Sequence, residues 1–136
     1  MELFILSEDI KVFCETAASF PGGILAAHRE LRSILPVSTE RRYFGISRPN
    51  GKGVIVYKAA TEEIYQGEAE EVGCETFVIE SGKYVSIFIH NYAKDTQKIT
   101  KAFEKLTSYP KIDPESSFIE FYLNEKDVRC MVRLQQ

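Results

Sequence analysis

A single carboxylate inside an aromatic strand is the residue of this chain best placed to do chemistry. In Ser117-Phe118-Ile119-Glu120-Phe121-Tyr122-Leu123, successive side chains point to opposite faces, so Phe118, Glu120 and Tyr122 share one face and Ile119, Phe121 and Leu123 the other. Whichever face is buried, Glu120 lies between two rings. A carboxylate taken out of water is costly unless it is paired or hydrogen-bonded, and otherwise its pKa rises until it holds a proton. Two chemical uses follow from that position: a counter-charge at the floor of a ligand pocket, or a general base. The bland alternative is a glutamate that faces solvent on an edge strand or pairs with an arginine.

The remaining reactive residue types offer less. Cys14, Cys74 and Cys130 are odd in number and widely spaced, which fits reduced thiols in the cytoplasm rather than a disulfide frame. No CxxC occurs and His28 and His90 are far apart in sequence, so no metal or other cofactor is expected. His28 falls beside the apolar stripe of a helix with no partner at i+3 or i+4 and reads as a boundary histidine with one wet nitrogen. The turn around Asn50-Gly51 lacks the glycine pattern and following helix of a phosphate cradle. The acidic run Glu62, Glu63, Glu68, Glu70 and Glu71 reads as a solvated connection. A formal net charge of −3 argues against an electrostatic grip on nucleic acid.

The elements that must position Glu120 are legible in the spacing. The chain has 136 residues, 44% hydrophobic and 27% charged, with nine Phe and seven Tyr, enough for one core without disulfides or a structural metal. The segment Glu2–Leu6 is too short for a membrane span and lacks a basic flank, so no signal peptide is expected. Alternation over residues 10–16 predicts a strand, and Ile24, Ala27, Leu31, Ile34 and Leu35 predict a helix over about 22–35, ending at Pro36. Runs at 43–47 and 54–57 predict a hairpin across Asn50-Gly51. Residues 75–79 and 84–90, joined by Ser81-Gly82-Lys83, predict another. Asp95 is a candidate N-cap for a helix carrying Ile99, Ala102, Phe103 and Leu106. The Glu120 strand and an alternating strand at 128–134 complete the chain.

The two halves run in the same order. The expected fold is therefore α+β: duplicated strand-helix-strand-strand modules, approximately residues 8–60 and 74–134, in one antiparallel sheet with two helices on one face and a groove between them. One domain spans residues 1–136. The position matching Glu120 in the first half falls near Gly45, so any carboxylate chemistry is one-sided.

With these pieces in place, the sequence resembles the GyrI-like small-molecule-binding family, which includes gyrase-inhibitory proteins and the effector-binding domains of multidrug-sensing and AraC-type transcription activators. The likeness is carried by Val54-Ile55-Val56-Tyr57-Lys58-Ala59, Phe77-Val78-Ile79-Glu80-Ser81-Gly82-Lys83-Tyr84, the Ile119–Leu123 strand and Val128-Arg129-Cys130-Met131-Val132-Arg133-Leu134. It implies the duplicated module, known in that family as SHS2, and a ligand groove holding the acidic residue of the Ile-Glu-x-Tyr strand, here Glu120. It also implies that Tyr84, after the glycine turn, and Tyr57 occupy recurrent positions. The chain has neither the length nor a basic recognition helix for its own DNA-binding domain, so it resembles the stand-alone members.

The expected function is binding of a lipophilic or cationic small molecule, with Glu120 at the floor of the groove and Tyr84, Phe118, Tyr122 and Tyr57 as walls. A first alternative is a hydrolase of electrophilic small molecules using Glu120 as base and Tyr84 as proton donor. A second is a gyrase-inhibitor-like module with a protein partner. Neither nucleic acid nor membrane is an expected partner. The chain is expected in the cytoplasm as a monomer or homodimer.

Overall fold

Alternating apolar and polar residues make most of this chain strand, and two stretches of 3.6-residue periodicity interrupt it. The computed structural model describes residues 1–36 and 40–136. The elements are β1 (Glu2–Leu6), β2 (Ile10–Thr16), α1 (Ile24–Ser33), β3 (Tyr43–Pro49), β4 (Ile55–Glu62), α2 (Glu68–Val72), β5 (Glu75–Ile79), β6 (Gly82–His90), α3 (Gln97–Thr107), β7 (Phe118–Tyr122) and β8 (Asp127–Arg133). A single 3₁₀ turn, Tyr92–Lys94, precedes α3.

The strands form one sheet in the order β1-β6-β8-β7-β3-β4-β2-β5, with every pairing antiparallel. From the β3–β7 seam outward, β3, β4 and β2 lie on one side and β7, β8 and β6 on the other. The same strand-helix-strand-strand order thus runs outward twice, and the middle pair of the seam is Gly45 opposite Glu120. Helix α1 packs on β2 and β4, and α3 packs on β6 and β8. Both helices cover one face, as the duplicated module requires. Their stripes are Ala27 and Leu31 in α1 and Ala102, Phe103 and Leu106 in α3. The N-cap of α3 is Thr96 rather than the expected Asp95, which stands one residue earlier and accepts from the Gln97 backbone N–H through Oδ1 at 3.2 Å.

The second predicted hairpin does not form. Strand β5 pairs with β2 at one edge, while β6 pairs with β1 and β8 near the other. Residues 7–9 and 80–81 are the only links between these ends, and an extended chain spans at most ~3.6 Å per residue. The sheet must therefore curl into a half-barrel that brings its edges together. The Ser81 backbone N–H donates to Asp9 Oδ1 at 2.7 Å and ties one link to the other. The helix-free side of the curl holds its own core, including Leu6, Ile10, Val12, Phe44, Ile79, Tyr84 and Met131.

The acidic run is likewise more than a solvated connection. Glu68 opens α2 and is buried, and its carboxylate takes two hydrogen bonds from the fully buried Arg41 guanidinium, at 3.0 and 2.9 Å. The Ile64 backbone N–H adds a third at 3.0 Å. Charge counting along the sequence could not show this, because Arg41, before β3, and Glu68, after β4, meet only when the hairpin closes and brings its open end together. Removing one partner of a buried pair leaves an uncompensated charge. Glu68→Gln is accordingly expected to lower unfolding free energy by about 3–5 kcal/mol in denaturant titration, and a loss below about 1 kcal/mol would show the pair to be effectively solvent-screened.

Candidate functional site

Glu120 sits at the middle of the seam, on the helix-covered face, and is only 7% exposed. Its position opposite Gly45 is what makes room for it. A Cβ at residue 45 would lie 2.7 Å from Glu120 Oε1 and closer still to the Tyr57 hydroxyl. Any side chain there would drive into both groups.

Two phenols converge on one carboxylate oxygen. Tyr57, from β4, donates to Glu120 Oε1 at 3.0 Å, and Tyr122, two residues along β7, donates a short hydrogen bond to the same oxygen. The two hydroxyl oxygens are 3.4 Å apart. His28, on the sheet-facing side of α1, places Nε2 2.9 Å from the Tyr57 hydroxyl. That hydroxyl has one proton and gives it to Glu120, so His28 must donate, which fixes the Nε2–H tautomer. Among the described residues no arginine or lysine pairs with Glu120, and Oε2 accepts no hydrogen bond.

Rings enclose the cluster. His28 meets Tyr122 edge-on at 5.4 Å between centroids, Tyr92 of the 3₁₀ turn approaches Tyr122 at 5.4 Å, and Phe20 leans on Tyr57 at 6.1 Å. Asn91 adopts φ 56°, a left-handed conformation that asparagine tolerates, and so turns the chain out of β6 to deliver Tyr92. Tyr92 and Phe20 are partly exposed and form the outer cover.

Burial dominates the electrostatics. It holds the Glu120 carboxyl above the ordinary 4.5, and the two phenol donors offset it only in part. Burial, and then the nearby Glu120 charge, push the Tyr57 and Tyr122 phenols far above 10, so both remain donors. Burial, with a smaller contribution from Arg32, takes His28 from 6.5 down to about 4, leaving it neutral at pH 7. Cys130, the cross-strand neighbour of Glu120, is pushed up by burial and stays a thiol.

The sequence-derived site is thus assembled in part. Glu120, Tyr57 and Tyr122 meet as expected. Phe118 shares their face but stacks on Phe103 of α3, with centroids 5.2 Å apart, and belongs to the core beneath that helix. Tyr84 does not join them. Its side chain enters the helix-free core, where its hydroxyl donates to the Glu80 carbonyl and burial raises it to about 12. There it borders a recess of about 150 Å³ with Arg48, Asp113 and Ser117. A larger cavity of about 450 Å³ lies between the end of α1 and α2, beside Leu35, Tyr65 and Val72. Neither cavity borders Glu120. His28, read from sequence as a boundary residue, is instead part of the site. The usable signal was its place one turn before Leu31 and next to Ala27, which turns it toward the sheet; what it meets there is decided by tertiary packing.

No protein-family model matches the sequence, and no curated protein matches it. The fold has clear counterparts among solved structures. An integron cassette protein from the mobile metagenome of Vibrio cholerae superposes with TM-score 0.68 at 11% identity, over 98% of this chain and 95% of that one. A hydrolase from Listeria innocua gives 0.63 at 8%, over 98% and 90%. The structure of SAV2435 bound to tetraphenylphosphonium gives 0.64 at 11%, over 97% and 93%. At these identities the likeness is one of fold. No helix among the described residues is long and apolar enough to cross a membrane.

The neutral histidine has a pH signature. In the unfolded chain His28 takes a proton near 6.5, and in the folded chain only near about 4. Its contribution is present above 6.5 and is lost as pH falls toward 4, by up to about 3 kcal/mol in total. His28→Gln is expected to flatten the stability profile over that interval relative to wild type; parallel wild-type and variant profiles would remove His28 from the buried network.

Proposed function

We propose that this chain is a GyrI-like small-molecule-binding domain whose inter-helix groove takes up a lipophilic organic cation at Glu120. The observation that carries this reading is a carboxylate buried without a cationic partner, held by two phenols on one oxygen and with the other oxygen unoccupied. Such a group is high in energy when ionised alone. A cation without its own strong hydration shell relieves that state, since it supplies charge in a low-dielectric site and needs no fixed hydrogen-bond geometry. The faces of Tyr57, Tyr122, Tyr92 and Phe20 add about 0.5–2 kcal/mol for each good cation–π contact. Phe20 against Tyr57 and Tyr92 against Tyr122 are the partly exposed rings beside the cluster, and in this reading they move aside for a ligand to enter. The tetraphenylphosphonium bound by a protein of the same fold supports the ligand class.

A hydrolytic reading rests on a different observation, the chain of proton donors from His28 through Tyr57 to Glu120. In it, Glu120 Oε2 takes a proton from water while the neutral His28 and Tyr57 hold the opposite oxygen. Fold counterparts that include a hydrolase support this second reading. It no longer involves Tyr84, which lies on the other side of the sheet. It ranks behind binding because the described residues offer no pair of backbone or cationic donors near Glu120 of the kind that stabilises a developing oxyanion.

Calorimetric titration with tetraphenylphosphonium separates these cases. Glu120→Gln is expected to weaken binding by at least about tenfold. Because the Glu120 carboxyl titrates above 4.5 in the folded chain, and only its ionised form attracts a cation, affinity should rise with pH through that range, with proton release on binding. Equal affinity in wild type and variant would defeat the binding reading. Turnover of electrophilic small molecules that disappears in Glu120→Gln would favour the hydrolytic one.

A further inference from the structure

Helix α1 turns two residues, one turn apart, toward the seam. His28 faces the Glu120 cluster, and Arg32, at i+4 on the same side, lays its guanidinium over the Tyr43 ring at 4.0 Å. Tyr43 is the cross-strand partner of Tyr122, two residues along β3 from Gly45. The floor therefore runs from Glu120 through Tyr122 and Tyr43 to a permanent positive charge at the rim. Its charge is felt at both neighbours: burial first and Arg32 second lower His28, and at Tyr92, which burial raises, Arg32 offsets part of the rise. Among the described residues Arg32 forms no ion pair, unlike Arg41, Arg42, Arg48, Arg129 and Arg133.

The pseudo-symmetry of the sheet sharpens the contrast. With Gly45 matched to Glu120, Tyr43 matches Phe118. The second half covers that ring with Phe103, dry and stacked, whereas the first covers it with an exposed cation. A guanidinium whose centre sits over a ring and that makes no ion pair still has N–H donors to offer a planar anion. It would also repel a ligand carrying positive charge alone.

We propose that Arg32 is an anion-selecting subsite of this groove, so that the preferred ligand is an amphipathic zwitterion with a carboxylate roughly 7 Å, one two-residue strand step, from its cationic centre. The inference rests on the binding role given to Glu120. In the bound state the cationic head faces Glu120 among the rings and the carboxylate pairs with Arg32 above Tyr43, so each end of the ligand meets its opposite charge.

The test compares hexyltriphenylphosphonium with its counterpart in which the terminal methyl is replaced by carboxylate, titrated into wild type, Arg32→Gln, Arg32→Lys and Glu120→Gln. Wild type should prefer the carboxylate by about two- to fivefold, the range of a rim ion pair. Arg32→Gln should abolish that preference and leave the methyl compound bound as well or better, and Arg32→Lys should keep part of it. A wild-type preference for the methyl compound, a preference that survives in Arg32→Gln, or no binding of either probe would overturn the proposal. Glu120→Gln reads the cationic end alone: unchanged affinity for hexyltriphenylphosphonium would defeat the Glu120 reading, while the carboxylate-to-methyl ratio still reports on Arg32.

Discussion

An unneutralised carboxylate held between two half-sheets is the constraint around which this molecule is arranged. Glu120 is buried, hydrogen-bonded only by hydroxyls and paired with no arginine or lysine among the described residues. Two neutral donors on one oxygen soften the desolvation penalty without abolishing it. The sheet accommodates the group because Gly45, its register partner, presents no side chain. Tyr57 can reach across the seam for the same reason. A fold stabilised by packing alone would place an alkyl residue there, as it does at Ile119 and Ile46 on the opposite face.

The site arises from breaking the symmetry of the two modules. Matching Gly45 with Glu120 matches Ser47 with Tyr122 and Tyr57 with Val128 through the strand registers. At each pair one half carries a side chain of the Glu120 cluster and the other a small or apolar residue. The first module contributes Tyr57, His28 and the empty space at Gly45, and the second contributes Glu120, Tyr122 and Tyr92. Neither module could build the cluster alone. The edge strands reinforce this dependence, since β1 precedes the first module and completes the sheet of the second, while β5 does the reverse.

Much of the fold and part of the site were legible in the sequence. Periodicity located both long helices and most strands because each has a wet side and a dry side, and the carboxylate between Phe118 and Tyr122 marked itself. Tyr84 was misplaced for a physical reason. Strand β6 is buried on both faces, with Val85 and Ile89 beneath α3 and Tyr84 inside the curl, so alternation could not say which face meets the groove. The β5–β6 hairpin failed similarly: a glycine-containing link is short enough for a hairpin, but it also spans two sheet edges that curling has brought together. Arg41 and Glu68 were opaque because their partnership joins distant segments.

The location of His28 follows from the same geometry and constrains the chemistry. A histidine beside a buried carboxylate would ordinarily be protonated by it, giving an internal ion pair and leaving no charge for a ligand. Here a phenol stands between them, and burial together with Arg32 keeps the imidazole neutral. His28 consequently supports Tyr57 as a donor without neutralising Glu120. The groove thus keeps one negative charge available when Glu120 ionises, and a full-strength positive charge one helical turn away at Arg32. Rings separate these charges and keep them from collapsing into a salt bridge, and the proposed recognition of a charged molecule depends on that separation.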